Sequence, residues 1–209
     1  MKTSHLIPIL AAGAADARIP AVDAVTGGGW VCLVWPAVAG ATKYKITAID
    51  DEGTPTVINA AYTNTQLTIT GLTNGTEYIF LVQSYVSGKW SSADPAHYFR
   101  ATPSGSDVPP PNPVAVPGDT TVTLTWSAVE DANRYAIVIY YSADNYTVLV
   151  NNLTETTYTA EGLTNGETYP FLVQARTGSK WSPANTKLIV SATPAAPVTA
   201  KRKTKKTAE

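Results

Sequence analysis

The stretch GLTNGTEYIFLVQSYVSGKWS, Gly71 to Ser91, returns as GLTNGETYPFLVQARTGSKWS, Gly162 to Ser182. The same offset carries Trp35 to Trp126, Tyr44 to Tyr135, Ile46 to Ile137 and Ala101-Thr102-Pro103 to Ala192-Thr193-Pro194 without a gap. A 209-residue chain that repeats in register is predicted to fold as two similar units, each large enough to bury its own core. The predicted boundaries are a leader over 1–17, a first unit over 18–103, a linker over 104–107, a second unit over 108–194 and a basic tail over 195–209.

Within each unit the hydrophobic period is two. In TTVTLTWSAV, Val122, Leu124 and Trp126 alternate with Thr121, Thr123 and Thr125, as a strand with one buried face requires. RYAIVIYY, TVLVNNL, TTYTAEGL, TYPFLVQAR and TKLIVSAT follow, separated by Asp, Asn, Gly and Pro turns. Such spacing predicts an all-β fold of two tandem seven-stranded antiparallel β-sandwiches. Asn74-Gly75 and Asn165-Gly166 supply turn residues that tolerate positive φ. Pro20, Pro111 and Pro113 are expected in the first strand of each unit, which must then be an edge strand. The linker SGSDVPPPNP reads as flexible at its Gly/Ser start and stiff through Pro109–Pro111. With one cysteine, Cys32, no intramolecular disulfide can form, and stability must come from packing.

A Trp in the second strand, a Tyr in the third and the string GL-T-N-G-x-x-Y-x-F-x-V resemble the fibronectin type III family, an immunoglobulin-like sandwich, in its tandem bacterial or bacteriophage form. The resemblance implies that Trp35 and Trp126 fill the core centres. It also implies that Tyr78 and Tyr169 are corner tyrosines whose hydroxyls bond back to the backbone after Leu72 and Leu163.

Nothing in the chain reads as catalytic, and no cofactor or metal is expected. The two histidines are His5, in the leader, and His97, expected in the last strand of the first unit; neither has a ligand or triad partner at suitable spacing. Gly27-Gly28-Gly29 aligns with Gly118-Asp119-Thr120 and reads as a hairpin turn. Asp50-Asp51-Glu52-Gly53 lacks the alternating oxygen ligands of a calcium loop and reads as a solvated turn. Trp90 and Trp181, in GKWS and SKWS, read as edge-closing residues or, alternatively, as protein or glycan contacts.

Differences between the copies carry more information than the likeness. Where the second unit places Thr121, Thr123 and Thr125 on the outer face of its second strand, the first places Trp30, Cys32 and Val34. An apolar stripe there needs a cover, expected to be a neighbouring subunit or the apolar leader with Leu6, Ile7, Ile9 and Leu10. The second unit has its own outward apolar set, Ala136, Val138 and Tyr140 with Leu172. Val138, Tyr140, Leu172, Arg176 and Trp181 are accordingly the ligand-facing candidates, and the first unit is the docking unit.

Lys201, Arg202, Lys203, Lys205 and Lys206 against Glu209 make the tail +4, and the formal −1 of the whole chain leaves −5 for the rest. An acidic body argues against nucleic acid as its partner. No apolar run is long enough to span a bilayer. The expected function is that of a non-catalytic structural or adhesion protein, an exposed virion component of capsid-decoration or fibre type. It would dock on other virion proteins or a second copy through the leader and first unit, and display the second unit to surface glycans. The alternative is a secreted or cell-surface bacterial adhesion or carbohydrate-associated module whose leader, ending in the Ala15-Asp16-Ala17 pattern, is a cleaved signal.

Overall fold

A computed structural model describes residues 18–105 and 107–197. In the first unit β1 (Asp23–Gly27), β2 (Trp30–Val34) and β5 (Gln66–Ile69) form a three-stranded sheet in the order β1-β2-β5. Facing it, β4 (Pro55–Tyr62), β3 (Ala41–Ile49), β6 (Tyr78–Val86) and β7 (Lys89–Trp90) run in that order, and β8 (Phe99–Ala101) also pairs with β6. The second unit repeats this order. Its small sheet is β9 (Val114–Pro117), β10 (Val122–Thr125) and β13 (Thr157–Ala160), with β10 central. Its large sheet is β12 (Asn145–Leu153), β11 (Arg134–Ser142), β14 (Tyr169–Thr177) and β15 (Lys180–Trp181), with β16 (Val190–Ala192) also on β14. All of these pairings are antiparallel. Counting the two pieces of the last strand as one, each described unit is a seven-stranded sandwich.

That last strand is broken by a 3-10 turn, Pro95–His97 in one unit and Thr186–Leu188 in the other. Asp94 and Asn185 cap these turns by accepting from Ala96 N and Lys187 N, 2.8 and 2.9 Å away. His97 therefore lies in a turn and not in a strand, because the cap and Pro95 fix helical backbone there. Pro20, Pro111 and Pro113 likewise precede β1 and β9 instead of lying within them. A residue without an N–H is placed where no ladder bond is needed.

Alternation fills the cores as the period requires. Val31, Leu33, Trp35, Tyr44, Ile46, Phe80 and Val82 pack in the first; Val122, Leu124, Trp126, Tyr135, Ile137, Phe171 and Val173 pack in the second. Trp35 meets Tyr44 and Trp126 meets Tyr135 edge-on, both at 5.4 Å between centroids. Tyr78 Oη accepts from Thr73 N at 2.9 Å and Tyr169 Oη from Thr164 N at 3.0 Å, so each tyrosine ties its strand to the corner after Leu72 or Leu163. Asp50 Oδ1 and O accept from Thr54 N and Gly53 N, and Gly53 sits at φ 81°, closing the acidic segment as a turn.

Candidate interaction surfaces

Side chains on β2 point alternately to the two faces of their sheet. Val31 and Leu33 enter the first core, which sends Trp30, Cys32 and Val34 outward. On the second unit the same alternation sends Val138 and Tyr140 of β11 and Leu172 of β14 outward, with Val138 paired to Leu172. These two outward sets meet each other. Trp30, Cys32, Val138, Tyr140, Leu172 and Leu188 form one buried cluster, with Val25, Val34 and Ile189 packed against it. Trp30 is 1% exposed, Cys32 0%, Leu172 1%, Val138 4% and Tyr140 7%.

This placement corrects the sequence expectation for both faces. The cover of Trp30, Cys32 and Val34 is the second unit of the same chain, and Val138, Tyr140 and Leu172 are unavailable to a ligand unless the units part. The physical reason is complementarity: two apolar stripes on otherwise solvated sheets lower their exposed area by closing on one another. Leu6, Ile7, Ile9 and Leu10, the other expected cover, lie outside the described residues. Of the ligand-facing candidates, Arg176 and Trp181 stay half-buried, with the guanidinium carbon 5.7 Å from the Trp181 ring centroid.

Leu188 was missed by the sequence reading, which treated TKLIVSAT as continuous strand. The 3-10 turn lifts it off that path into the cluster, where it is 1% exposed. The Asn185 cap two residues after Pro183 is the signal that could have found it.

The linker is fastened as well. Trp30 Nε1 donates to Asp107 O at 2.8 Å. Farther on, three side chains of the first unit donate to proline carbonyls: Thr68 Oγ1 to Pro110, Gln66 Nε2 to Pro111 and Asn64 Nδ2 to Pro113, at 2.9, 3.0 and 2.9 Å. Asn112 Oδ1 in turn accepts from Thr68 N at 2.8 Å. Prolines offer carbonyls but no N–H, so the donors must come from the first unit; here β5, the free edge of its sheet, and Asn64 just before it supply them, and the edge is covered in return. The stretch read as a flexible and then stiff linker is thus part of the seam. An ion pair, Lys187 Nζ to Asp23 Oδ2 at 2.8 Å, closes the opposite side of it. That hydrogen bond, with one from Ala24 N, holds the Asp23 carboxyl below the usual range.

Burial pushes the Cys32 thiol up to about 12, partly opposed by hydrogen bonds from Thr68 and Gln66, so it is a packing residue and not a nucleophile at neutral pH. Burial also raises Tyr62 to about 12. Among the described residues no group of three or more His, Cys, Asp or Glu is placed to hold a metal, and no helix is long and apolar enough to cross a membrane. A cleft of about 720 Å³ opens beside Trp30 and Leu72, walled by linker residues 107–112, by 127–131 and by Lys180.

The family described as "Fibronectin type III domain" matches residues 108–190. The chain is similar to Endoglucanase B of Cellulomonas fimi, 32% identical over 176 residues, which make 77% of this chain and 16% of the relative. It is similar to Chitinase A1 of Niallia circulans, 36% identical over 121 residues, 54% of this chain and 17% of the relative. Among solved structures it is similar to a two fibronectin type III domain segment from chicken tenascin, with 16% identity, a TM-score of 0.34 and coverage of 83% of this chain and 97% of that one. The chain spans about a sixth of the length of those two curated relatives.

Proposed function

From a chain that carries a fibronectin type III domain, a non-catalytic type of module, we propose a rigid two-unit accessory module of a secreted, carbohydrate-associated bacterial protein. In this reading the first unit is a second copy of the same domain. The module sets a fixed distance and angle between whatever lies on either side of it and makes weak contact with polysaccharide. The observation that carries this reading is the buried cluster of Trp30, Cys32, Val138, Tyr140, Leu172 and Leu188, through which the two linked sandwiches pack as one body. Relatives named as an endoglucanase and a chitinase support the carbohydrate association. The virion arrangement expected from sequence docked through the leader together with Trp30, Cys32 and Val34; in the present reading the second unit covers those three residues.

Affinity electrophoresis of the full chain through gels containing a series of polysaccharides tests the reading. Retardation in at least one polysaccharide gel, with no hydrolysis of it, is the expected result. Unretarded migration in every gel, or co-purification only with phage particles, would overturn it.

A further inference from the structure

We propose that the row Lys43–Tyr85–Trp90 on the first unit, flanked by Lys45 and Lys89, is a binding site for an acidic polysaccharide, one whose sugars carry carboxylate or sulfate groups. The proposal rests on the carbohydrate reading above and names its ligand class. Register builds the row. Lys43 on β3 pairs with Tyr85 on β6, and Tyr85 pairs with Trp90 on β7, so three cross-strand neighbours share one face. Lys45 lies two residues along β3 and therefore on that same face. Ser87 and Gly88, both at positive φ (49° and 79°), make the tight turn that brings Lys89 and Trp90 back beside Tyr85.

The rings hold the cations in place. Lys43 Nζ stands 4.7 Å from the Tyr85 centroid and 5.5 Å from that of Trp90, Lys45 Nζ stands 5.1 Å from Trp90, and the two rings are 4.9 Å apart. A lysine is normally costly to immobilise; here the aromatic wall has already restricted two of them, which lowers the entropy lost when an anion arrives. Among the described residues the ion pairs Arg100–Glu77 and Lys187–Asp23 leave Lys43, Lys45 and Lys89 without a carboxylate partner. Of the five Lys and Arg of residues 18–103, Lys43 and Lys45 stand over these rings, Lys89 lies next to Trp90 and pairs with Val86, and Arg100 is already paired. Asp50, Asp51 and Glu52 sit past the far end of β3, with Asp50 about 17 Å from Lys45 and about 23 Å from Lys43 along the strand at about 3.3 Å per residue. The first unit is therefore polarised along its long strand, with a positive end that offers ammonium groups over ring faces. Because the lysines occupy those faces, a neutral sugar finds little ring surface to stack on, and an acidic one finds fixed counter-charges.

The second unit repeats the row at the same spacing: Arg134 pairs with Arg176 and Arg176 with Trp181, with Lys180 next to it. Two cationic rows in one body, the second with Arg176 in place of Tyr85 and Ala136 in place of Lys45, suit a ligand that itself repeats, since a polymer that engages both gains by effective concentration.

The test is affinity electrophoresis and titration of the full chain, with its five tail cations changed to glutamine in every variant. The probes are polygalacturonate, dextran sulfate, neutral hydroxyethyl cellulose and duplex DNA. Binding to polygalacturonate or dextran sulfate that weakens at least tenfold in K43Q/K45Q, with a salt dependence shallower by between one and two counterions, supports the site. Trp90→Phe should keep most of the affinity and Trp90→Ala lose several-fold, because the ring positions the lysines; both variants are checked by their NMR fingerprints. Unchanged binding in K43Q/K45Q would overturn the site. Equal binding to DNA with equal loss would overturn its assignment to polysaccharide. Retention by hydroxyethyl cellulose alone would overturn this inference while leaving the carbohydrate reading standing, and retention by no polysaccharide would end both.

Discussion

Replacing Trp30 with alanine is expected to release the second unit from the first. Trp30 is 1% exposed, lies in the cluster with Tyr140, Leu172 and Leu188, and donates through Nε1 to Asp107 O. Removing a buried tryptophan costs about 3–5 kcal/mol. The area route agrees: roughly 200 Å² of apolar surface at about 25 cal/mol per Å² gives about 5 kcal/mol. Some of that falls on the fold of the first unit through Val25 and the β1–β2 turn. If about 3 kcal/mol falls on the contact between units, the parted fraction rises by roughly a hundredfold. Hydrogen exchange reads this directly. The amide of Thr68, which donates to Asn112 Oδ1, and those of Asp107, Val108, Asn112 and Leu188 should lose protection, while Leu33, Phe80 and Phe171 keep theirs. Leu124→Ala, in the second core, serves as the control: it destabilises its own sandwich by a similar amount but leaves the seam closed. If W30A lowers global stability and the seam amides keep their wild-type protection, the cluster does not join the units and the reasoning fails.

Other outcomes follow from the same contacts. A Cβ on Gly27 would stand 2.3 Å from the Trp30 ring, so Gly27→Ala should displace that ring and mimic W30A in the same exchange experiment. Tyr78→Phe and Tyr169→Phe, each losing a hydrogen bond from a corner amide, should cost about 1 kcal/mol apiece in urea denaturation. Cys32 and Tyr62 have folded values raised to about 12, from 9.0 and 10.0, so the unfolded chain releases their protons first. Stability should hold below pH 9 and fall as pH rises toward 12, and Cys32→Ser should flatten the lower part of that fall. Lys187→Gln should change stability by less than about 1 kcal/mol, since both partners of its ion pair are about half exposed.

The sandwiches were legible because period-two alternation and paired turn residues are local signals, and the 91-residue offset doubled each of them. Trp35, Trp126, Tyr78 and Tyr169 occupy places that alternation and the corner string define. The relation between the units was harder to read. An outward stripe such as Trp30, Cys32 and Val34 reports that a face is covered without naming its cover. Both unmatched faces were visible in the sequence, and joining them to each other required only that one chain carry two. The seating of the linker was hidden for a different reason: prolines read as stiffness, whereas here their carbonyls answer Asn64, Gln66 and Thr68 across a distance that no local pattern encodes. His97 and Leu188 were misread because a 3-10 turn inside an alternating run keeps the composition of a strand.

The central claim, that two sandwiches behave as one body, is tested most directly by residual dipolar couplings on the full chain. A single alignment tensor should fit the amides of residues 18–105 and 107–197 together. Two tensors of different magnitude and orientation would mean that the units reorient independently and that the Trp30–Leu172 seam does not hold in solution.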